Sequence, residues 1–159
     1  MKDSTAVKGF FRLNIIDHSN GKAEVVGDSG WKENQITNVG YETYIVGQVG
    51  SIAGSLRPSH LALGLGSTPA SNGTGLESEL VDAAGCRIAV TPSAVSSKTL
   101  QFVGTLASNV ITATRAIANI GIFATSSITA GSIMAGNTYA ASTLQTNQSV
   151  NLSYQIRFA

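Results

Sequence analysis

Residues 150–158 alternate strictly between apolar and polar side chains. The apolar set is Val150, Leu152, Tyr154, Ile156 and Phe158, and the polar set is Asn151, Ser153, Gln155 and Arg157. A two-residue period places the two sets on opposite faces of a β-strand. One face of this strand is therefore expected in a core and the other in water, which is typical of an antiparallel sheet.

Similar patterns extend over most of the chain. Residues 7–16 and 22–26 predict a hairpin around Asn20-Gly21, because Asn-Gly is the strongest short hairpin signal. Residues 60–65 alternate as a strand, and from Gly85 onward the chain predicts almost only strands. Several short strands at near-regular spacing predict a mainly β fold, specifically an antiparallel β-sandwich or jelly-roll-like arrangement.

One segment has a helical period instead. Its apolar residues recur at three- and four-residue steps and are Tyr41, Tyr44, Ile45, Val46, Val49 and Ile52. Thr37 or Asn38 can cap the start by accepting a backbone N–H bond, and Arg57-Pro58 ends any helix. The sequence therefore predicts one amphipathic helix near residues 38–50.

The length of 159 residues and mass of 16.4 kDa suit one domain. Residues 1–12 are interpreted as an N-terminal arm and first strand of the same unit, and residues 13–159 as a single β-sandwich domain. The arm is polar at its start and then strand-like. A segment of this kind is suited to adding a strand to the sheet of another chain.

Charge is scarce in this chain. Charged residues make up 12% of the sequence, against 43% hydrophobic residues, and the net charge is +1. Such a surface repels copies of itself weakly. With 3 Pro and few charges, the edges of the predicted sheet are also expected to be poorly protected against pairing. Both features favour an assembly protein; a neutral soluble monomer remains the alternative.

Several classes of function are not expected. The net charge provides no basic field for nucleic acid, and no apolar run approaches the roughly 20 residues of a membrane span. The N-terminal residues lack the apolar core of a signal peptide. A single cysteine, Cys86, forms no internal disulfide, and no metal or cofactor is predicted.

The catalytic candidates have simpler structural interpretations. Residues 27–30 read Gly-Asp-Ser-Gly, as around the nucleophile of trypsin-like proteases, but only 28 residues precede Ser29 and a turn is favoured. His18 and His60 have no metal-ligand spacing. The acidic cluster is Glu77, Glu79 and Asp82. It lacks an identifiable partner carboxylate for glycoside hydrolysis, so a solvated face or an inter-subunit salt bridge is favoured.

Three stretches together resemble a group of virion proteins of tailed bacteriophages. Residues 30–49 read GWKENQITNVGYETYIVGQV, a polar turn before an amphipathic helix, and residues 60–80 read HLALGLGSTPASNGTGLESEL. The third stretch combines ANIGIFATSS (118–127) and GSIMAGNTYAA (131–141) with the alternating end NLSYQIRF (151–158). Where that group often has "EAGLF", this chain lacks the acidic residue.

The resemblance implies a non-enzymatic β-sandwich virion component present in many copies. The leading hypothesis is a capsid decoration (cement) protein that bridges major capsid subunits on the head exterior, in a virion assembled in the host cytoplasm. Self-association into a homo-oligomer is also expected. The residues predicted at the interface are Val7, Phe10, Phe11, Arg12 and Trp31, although Trp31 can equally fill the core.

Two alternatives remain open. The first is a tail component, such as a fibre-base, tip or receptor-binding protein, in which the Ser/Thr/Gly-rich loop at residues 66–75 faces a receptor. The second is a carbohydrate-binding or lytic enzyme domain. With aromatic residues at only 6%, the sequence offers no aromatic platform for a sugar and no catalytic pair.

Overall fold

The structure is a computed structural model that describes residues 6–82, 86–128 and 131–159. Within these residues there are ten strands and one helical segment. The strands are β1 (Val7–Asp17), β2 (Glu24–Asp28), β3 (Lys32–Ile36), β4 (His60–Gly64), β5 (Ile88–Ala89), β6 (Thr91–Ser96), β7 (Thr99–Leu106), β8 (Arg115–Phe123), β9 (Ala135–Leu144) and β10 (Gln148–Phe158). Every strand pairing is antiparallel, so the prediction of a mainly antiparallel β fold is confirmed.

The strands form one sheet that is nearly closed. Their order is β5-β4-β8-β9-β3-β1-β10-β7-β6, with β2 also paired to β1. The sheet turns a corner at β3, whose first residues pair with β1 and whose last two, Gln35 and Ile36, pair with β9. At its two ends, β5 leads through Val90 directly into β6, so one stretch of chain belongs to both ends of the sheet.

The predicted apolar face of β10 lies in the core. Leu152 and Tyr154 are at most 1% exposed, and they pair with Leu13 and Phe11 of β1. The rings of Phe11 and Tyr154 lie 4.6 Å apart between centroids. Burying each such side chain contributes about 1.5–3 kcal/mol, so this alternating pair of long strands anchors the fold.

The helical segment is wound as a π-helix over Gly40–Val46 and as an α-helix over Gly47–Val49. It lies within the predicted range. Asn38 and Val39 before it are already helical, so Thr37 precedes the first helical residue, and the backbone N–H of Gly40 donates to the Thr37 hydroxyl at 3.0 Å as expected of a cap. Tyr44 is buried, and its hydroxyl donates to the carbonyl of Ser132. Burial raises the pKa of Tyr44 to about 12.

The close docking of this segment depends on a glycine. A side chain at Gly40 would overlap the carbonyl oxygen of Met134, and its Cβ would lie 2.9 Å from Ile36. The segment therefore contacts the sheet through Gly40 and Tyr44. Much of the predicted apolar stripe points elsewhere, because Val46, Val49 and Ile52 remain exposed.

Candidate interaction surfaces

The N-terminal arm occupies the middle of the sheet. From Val7 onward β1 pairs with β10 along its whole length, and Gly9–Phe11 also pair with β3 on the other side. Both edges of this segment are therefore used within the chain. Residues 9–11 are therefore not free to add to a partner's sheet; alternation predicts a strand without showing whether the strand is central. Residues 1–5 lie outside the described residues, and the boundary after residue 12 falls inside β1.

Three of the five predicted interface residues serve the fold itself. Phe11 is 3% exposed and packs in the core, which corrects its assignment to an interface. Val7 is half-buried at the margin of the core. Arg12 holds Asp28 with two bonds, Nε to Oδ1 at 3.1 Å and Nη2 to Oδ2 at 2.6 Å. This pairing is the main reason that the pKa of Asp28 is lowered to about 2.

Phe10 and Trp31 meet around Arg157 on the outer face of the sheet. The guanidinium carbon of Arg157 lies 4.1 Å from the centroid of the Phe10 ring and 5.6 Å from that of Trp31. All three side chains are half-buried. We call them the Arg157 cluster. Attraction between a cation and an aromatic face contributes about 0.5–1 kcal/mol at such partly exposed sites.

Arg157 is fixed by amides rather than by a carboxylate. Its Nε and Nη2 both donate to Gln155 Oε1, at 2.9 and 2.7 Å, and Gln155 Nε2 donates to Gln101. Among the described residues, no carboxylate lies within ion-pair distance of Arg157. Arginine and tryptophan are enriched where interfaces bind most strongly. Sequence analysis missed Arg157 because only the fold brings it to Phe10 and Trp31.

The edge strand β6 is better protected than the composition indicates. Every residue of β6 is exposed, and within the described residues β7 is its only partner strand. However, β6 contains Pro92, which lacks an N–H, and a bulge between Ala94 and Ser96. Both features disfavour pairing with another chain. The expectation of poorly protected edges is therefore not met at β6.

A groove lies between the helical segment and one end of the sheet. Its volume is about 360 Å³. The sheet contributes Leu100, Ile156 and Phe158, while Ile45 and Val49 line the opposite side. The lining is mostly apolar, and Arg57 is its single charged residue. We call this depression the helix groove.

Three apolar side chains are exposed on the helical segment or just after it, and one of them, Val49, also lines the groove. Val46, Val49 and Ile52 are 57%, 85% and 56% exposed, and we call these three residues the helix ridge. On the sheet side of the groove, Phe158 is 41% exposed. Amphipathic helices normally turn such a stripe toward the core. An uncovered apolar surface of this kind is typical of a contact surface.

Two polar side chains beside the groove, Gln48 and Arg57, are hydrogen-bonded to each other. Arg57 Nε donates to Gln48 Oε1 at 3.1 Å, and Gln48 Nε2 donates to the Ser55 hydroxyl at 2.8 Å. Covering the groove with an apolar group therefore leaves these hydrogen bonds in place.

Ser29 is occupied by local backbone bonds. The N–H of Leu13 donates to its hydroxyl at 3.0 Å, and the hydroxyl donates to the carbonyl of Gly30 at 2.9 Å. No histidine of the described residues bonds to Ser29. The turn interpretation of the Gly-Asp-Ser-Gly stretch holds only at its end, because Gly27 and Asp28 belong to β2 and the backbone reaches a positive φ at Gly30.

His18 instead contacts a serine from the far end of the chain. Its Nε2 lies 2.8 Å from the hydroxyl of Ser149, which is within the range expected between a nucleophile and its base. The sequence did not predict this pair, because its two members are far apart along the chain. Ser149 is only 6% exposed. The neighbouring Asp17 is held by Ser19 and by Gln148 Nε2 at 3.0 Å, so this carboxylate does not orient the imidazole. The pair lacks the third member that a hydrolytic triad uses.

The acidic cluster is divided among separate partners. Glu77 accepts bonds from the backbone and hydroxyl of Ser67, and Asp82 accepts from Arg115 at 2.7–3.2 Å. Glu79 forms a buried ion pair with Arg87. The carboxylates therefore fix loops to the sheet within this chain, and the ion pairs of Glu79 and Asp82 are intrachain rather than the expected inter-subunit salt bridge.

Neither a metal-binding group nor a membrane-spanning helix is found in the part of the chain that the structure describes. No three side chains among His, Cys, Asp and Glu come together there as a metal-binding group. The same residues form no helix with the length and apolar character needed to span a bilayer.

Cys86 is buried. Next to His60, the Ser59 hydroxyl lies 2.7 Å from Nδ1, and burial together with Arg87 lowers the pKa of His60.

Comparisons with protein-family models, with curated proteins and with solved structures found no match.

Proposed function

We propose that this chain is a non-enzymatic structural protein of a virion, and specifically a capsid decoration (cement) protein that bridges major capsid subunits on the head exterior. It acts there by burying additional surface between neighbouring subunits, so that more contacts must break before the shell opens. The proposal includes the finer fold prediction, in which the nearly closed sheet is flattened into two layers as in a β-sandwich or jelly roll.

The observation that carries the proposal is the uncovered apolar surface of the helix ridge and the helix groove. Val49 is 85% exposed in a chain with few charges to keep copies apart. The Arg157 cluster offers a second contact surface with residue types that bind strongly. Two contact surfaces are what a bridging protein requires, and multivalent attachment multiplies weak contacts.

A tail component is the second candidate, and one observation favours it. The loop at residues 66–75 is largely exposed yet hydrogen-bonded to the strands beside it. Asn119 Nδ2 donates to the carbonyls of Ser67 and Glu77, both at 3.0 Å, and the hydroxyls of Thr68 and Thr138 lie 2.9 Å apart. A loop fixed in advance loses little entropy on binding a receptor.

The experiment that tests the proposal is to locate the chain in particles. Particles from cells that make the chain are purified by density gradient, copies are counted by quantitative mass spectrometry, and antibody-gold labelling is viewed by electron microscopy. A decoration protein labels the whole head shell in many copies. A few copies at the tail support the second candidate instead. Recovery of the chain only in the soluble fraction, with no label on particles, overturns both.

A further inference from the structure

We propose that the Arg157 cluster binds a carboxylate presented by an acidic segment of a partner protein. The inference adds the chemistry of the partner to the second contact surface of the proposed function, and it rests on that function for the identity of the partner. The cluster consists of Phe10, Trp31 and Arg157 on the outer face of the sheet. The guanidinium of Arg157 is the group that the carboxylate meets.

Part of the Arg157 guanidinium has no partner among the described residues. A guanidinium carries five N–H groups. Nε and Nη2 each direct one of them to Gln155 Oε1, at 2.9 and 2.7 Å, and no other acceptor in the described chain takes the rest. The edge formed by Nη1 and Nη2 is therefore open. Two parallel N–H groups along one edge match the two oxygens of a carboxylate.

The guanidinium is held in position before any partner binds. Gln155 is only 7% exposed, and its Nε2 donates to Gln101 Oε1 at 2.6 Å, so the amide that holds Arg157 is itself fixed. The guanidinium also lies over the Phe10 ring, with 4.1 Å between its carbon and the ring centroid. An arginine positioned in this way loses little side-chain entropy when it forms an ion pair.

The charges beside the cluster leave one cation unbalanced. Lys8 of β1 is the direct cross-strand partner of Arg157 on β10, and like charges in such a pair are unfavourable. Of these two cations, only Lys8 has a carboxylate partner within the described chain: Glu33 Oε1 lies 3.1 Å from its Nζ. Two cations therefore share one carboxylate, and a second carboxylate from a partner neutralises Arg157.

A carboxylate on a protein suits this surface better than other anions. A phosphate carries more than one negative charge at neutral pH, which exceeds the single unbalanced cation. A sugar ring cannot stack on the face of Phe10 that the guanidinium covers. A protein segment instead brings apolar side chains beside its carboxylate. These can contact the half-buried rings of Phe10 and Trp31, and aromatic residues and arginine are enriched in such interfaces.

An NMR titration with short peptides tests the site. The indole N–H of Trp31, the only tryptophan of the chain, gives a single signal, and its ring lies 5.6 Å from the Arg157 guanidinium. The probe is the acetylated and amidated peptide Ala-Glu-Leu-Glu-Ala, and its matched control carries Gln in place of both Glu. The acidic peptide should shift the Trp31 signal saturably, with a dissociation constant in the millimolar range, and the Gln peptide should leave it in place.

Two variants of equal net charge locate the contact. Arg157→Met should weaken binding of the acidic peptide at least tenfold. Lys22→Met removes the same charge from the exposed turn between β1 and β2, at the other end of β1 from Lys8, and should bind as the wild type does. The comparison of the two peptides on the wild-type chain needs no variant, so it decides the question even if Arg157→Met folds poorly.

Three results overturn the inference: no shift with the acidic peptide, an equal shift with the Gln peptide, or equal binding by the two variants. Tighter binding of inorganic phosphate or of glucuronic acid than of the acidic peptide also overturns it, because the partner is then not an acidic protein segment. Particles that carry the chain although it binds no acidic peptide refute this inference and leave the proposed function standing. Peptide binding by a chain that labels no particles supports the site and refutes the proposed function.

Discussion

Replacing Arg87 with methionine removes the cation from the most deeply buried ion pair of the described residues. The side chains of Arg87 and Glu79 are 3% and 8% exposed. Arg87 Nη2 donates to Glu79 at 2.9 Å and Nη1 donates to the carbonyl of Thr125 at 3.0 Å, while the guanidinium lies 3.5 Å from the centroid of the Phe123 ring. The pair therefore ties the segment around Glu79 to β5 and to the end of β8.

The expected cost follows from this burial. The Arg87→Met variant leaves the Glu79 carboxylate inside the protein without its cation, and breaking a buried pair in this way costs about 3–5 kcal/mol. For a chain of this length, 1 kcal/mol lowers the melting temperature by about 2–4 °C, so the loss is on the order of 10 °C. The double variant Arg87→Met with Glu79→Leu removes both charges and should recover part of this loss.

Urea denaturation and thermal melting followed by circular dichroism measure the effect. The matched control is Glu33→Gln, which breaks the ion pair between Lys8 and Glu33. The Lys8 side chain is 48% exposed and the Glu33 side chain is 55% exposed. An exposed pair of this kind contributes no more than about 1 kcal/mol. The reasoning is refuted if Arg87→Met is no more destabilising than Glu33→Gln, because burial would then not decide the strength of the pair.

Two further predictions concern the packing of β1 and the stability of the fold at low pH. Gly9→Ala should destabilise the fold by about 1–3 kcal/mol in urea denaturation, because the new Cβ would overlap Asn34 and lie 2.6 Å from the Tyr154 hydroxyl. The control is Gly75→Ala, which should be nearly neutral because no atom lies within 4 Å of its new Cβ. Equal destabilisation by the two substitutions would contradict the packing argument. The folded pKa of Asp28 is about 2, below its ordinary 3.8, so its ionised form stabilises the fold above that ordinary value and this contribution is lost as the pH falls toward 2. Melting temperatures measured from pH 5 to pH 2 should therefore fall less steeply in Asp28→Asn, and an unchanged slope would exclude this carboxylate as a source of acid sensitivity.

The sheet could be predicted where the local pattern and the fold agree. The alternation of residues 150–158 predicts a strand with one buried face, and its apolar residues up to Ile156 lie in the core. Asn20-Gly21 lies between β1 and β2, as the hairpin signal predicts, and Gly21 has a φ of +69°, which glycine adopts without strain. These features depend on neighbours in sequence, so a single sequence contains the necessary information.

The strand positions could not be predicted in the same way. Residues 7–12 alternate, which predicts a strand but not its neighbours, and the fold places Gly9–Phe11 between β10 and β3. Which strands flank a given strand depends on contacts between distant parts of the chain. The same limit applies to Arg157. In the sequence it is one polar residue of an alternating strand, and only the fold places it against Phe10.

The helical segment shows a different limit. Its three- and four-residue spacing predicted the position near residues 38–50, but an apolar stripe normally indicates burial. Here Tyr44 is buried and Val49 is 85% exposed. The stripe is wider than the contact with the sheet, which is restricted to the side where Gly40 lets the backbone approach Met134. A sequence pattern shows that a surface is apolar, and only the structure shows that the chain leaves it uncovered.

Carbene footprinting of the helix ridge tests the central claim most directly. A diazirine reagent labels exposed side chains in the free chain and in the chain bound to purified particles, and mass spectrometry measures labelling of the peptide that contains Val46, Val49 and Ile52. Val25 on β2 serves as the internal reference. Labelling of the ridge should fall severalfold in the particle while the reference changes little. Equal labelling of the ridge in the free and bound chain would contradict the assignment of this surface to assembly.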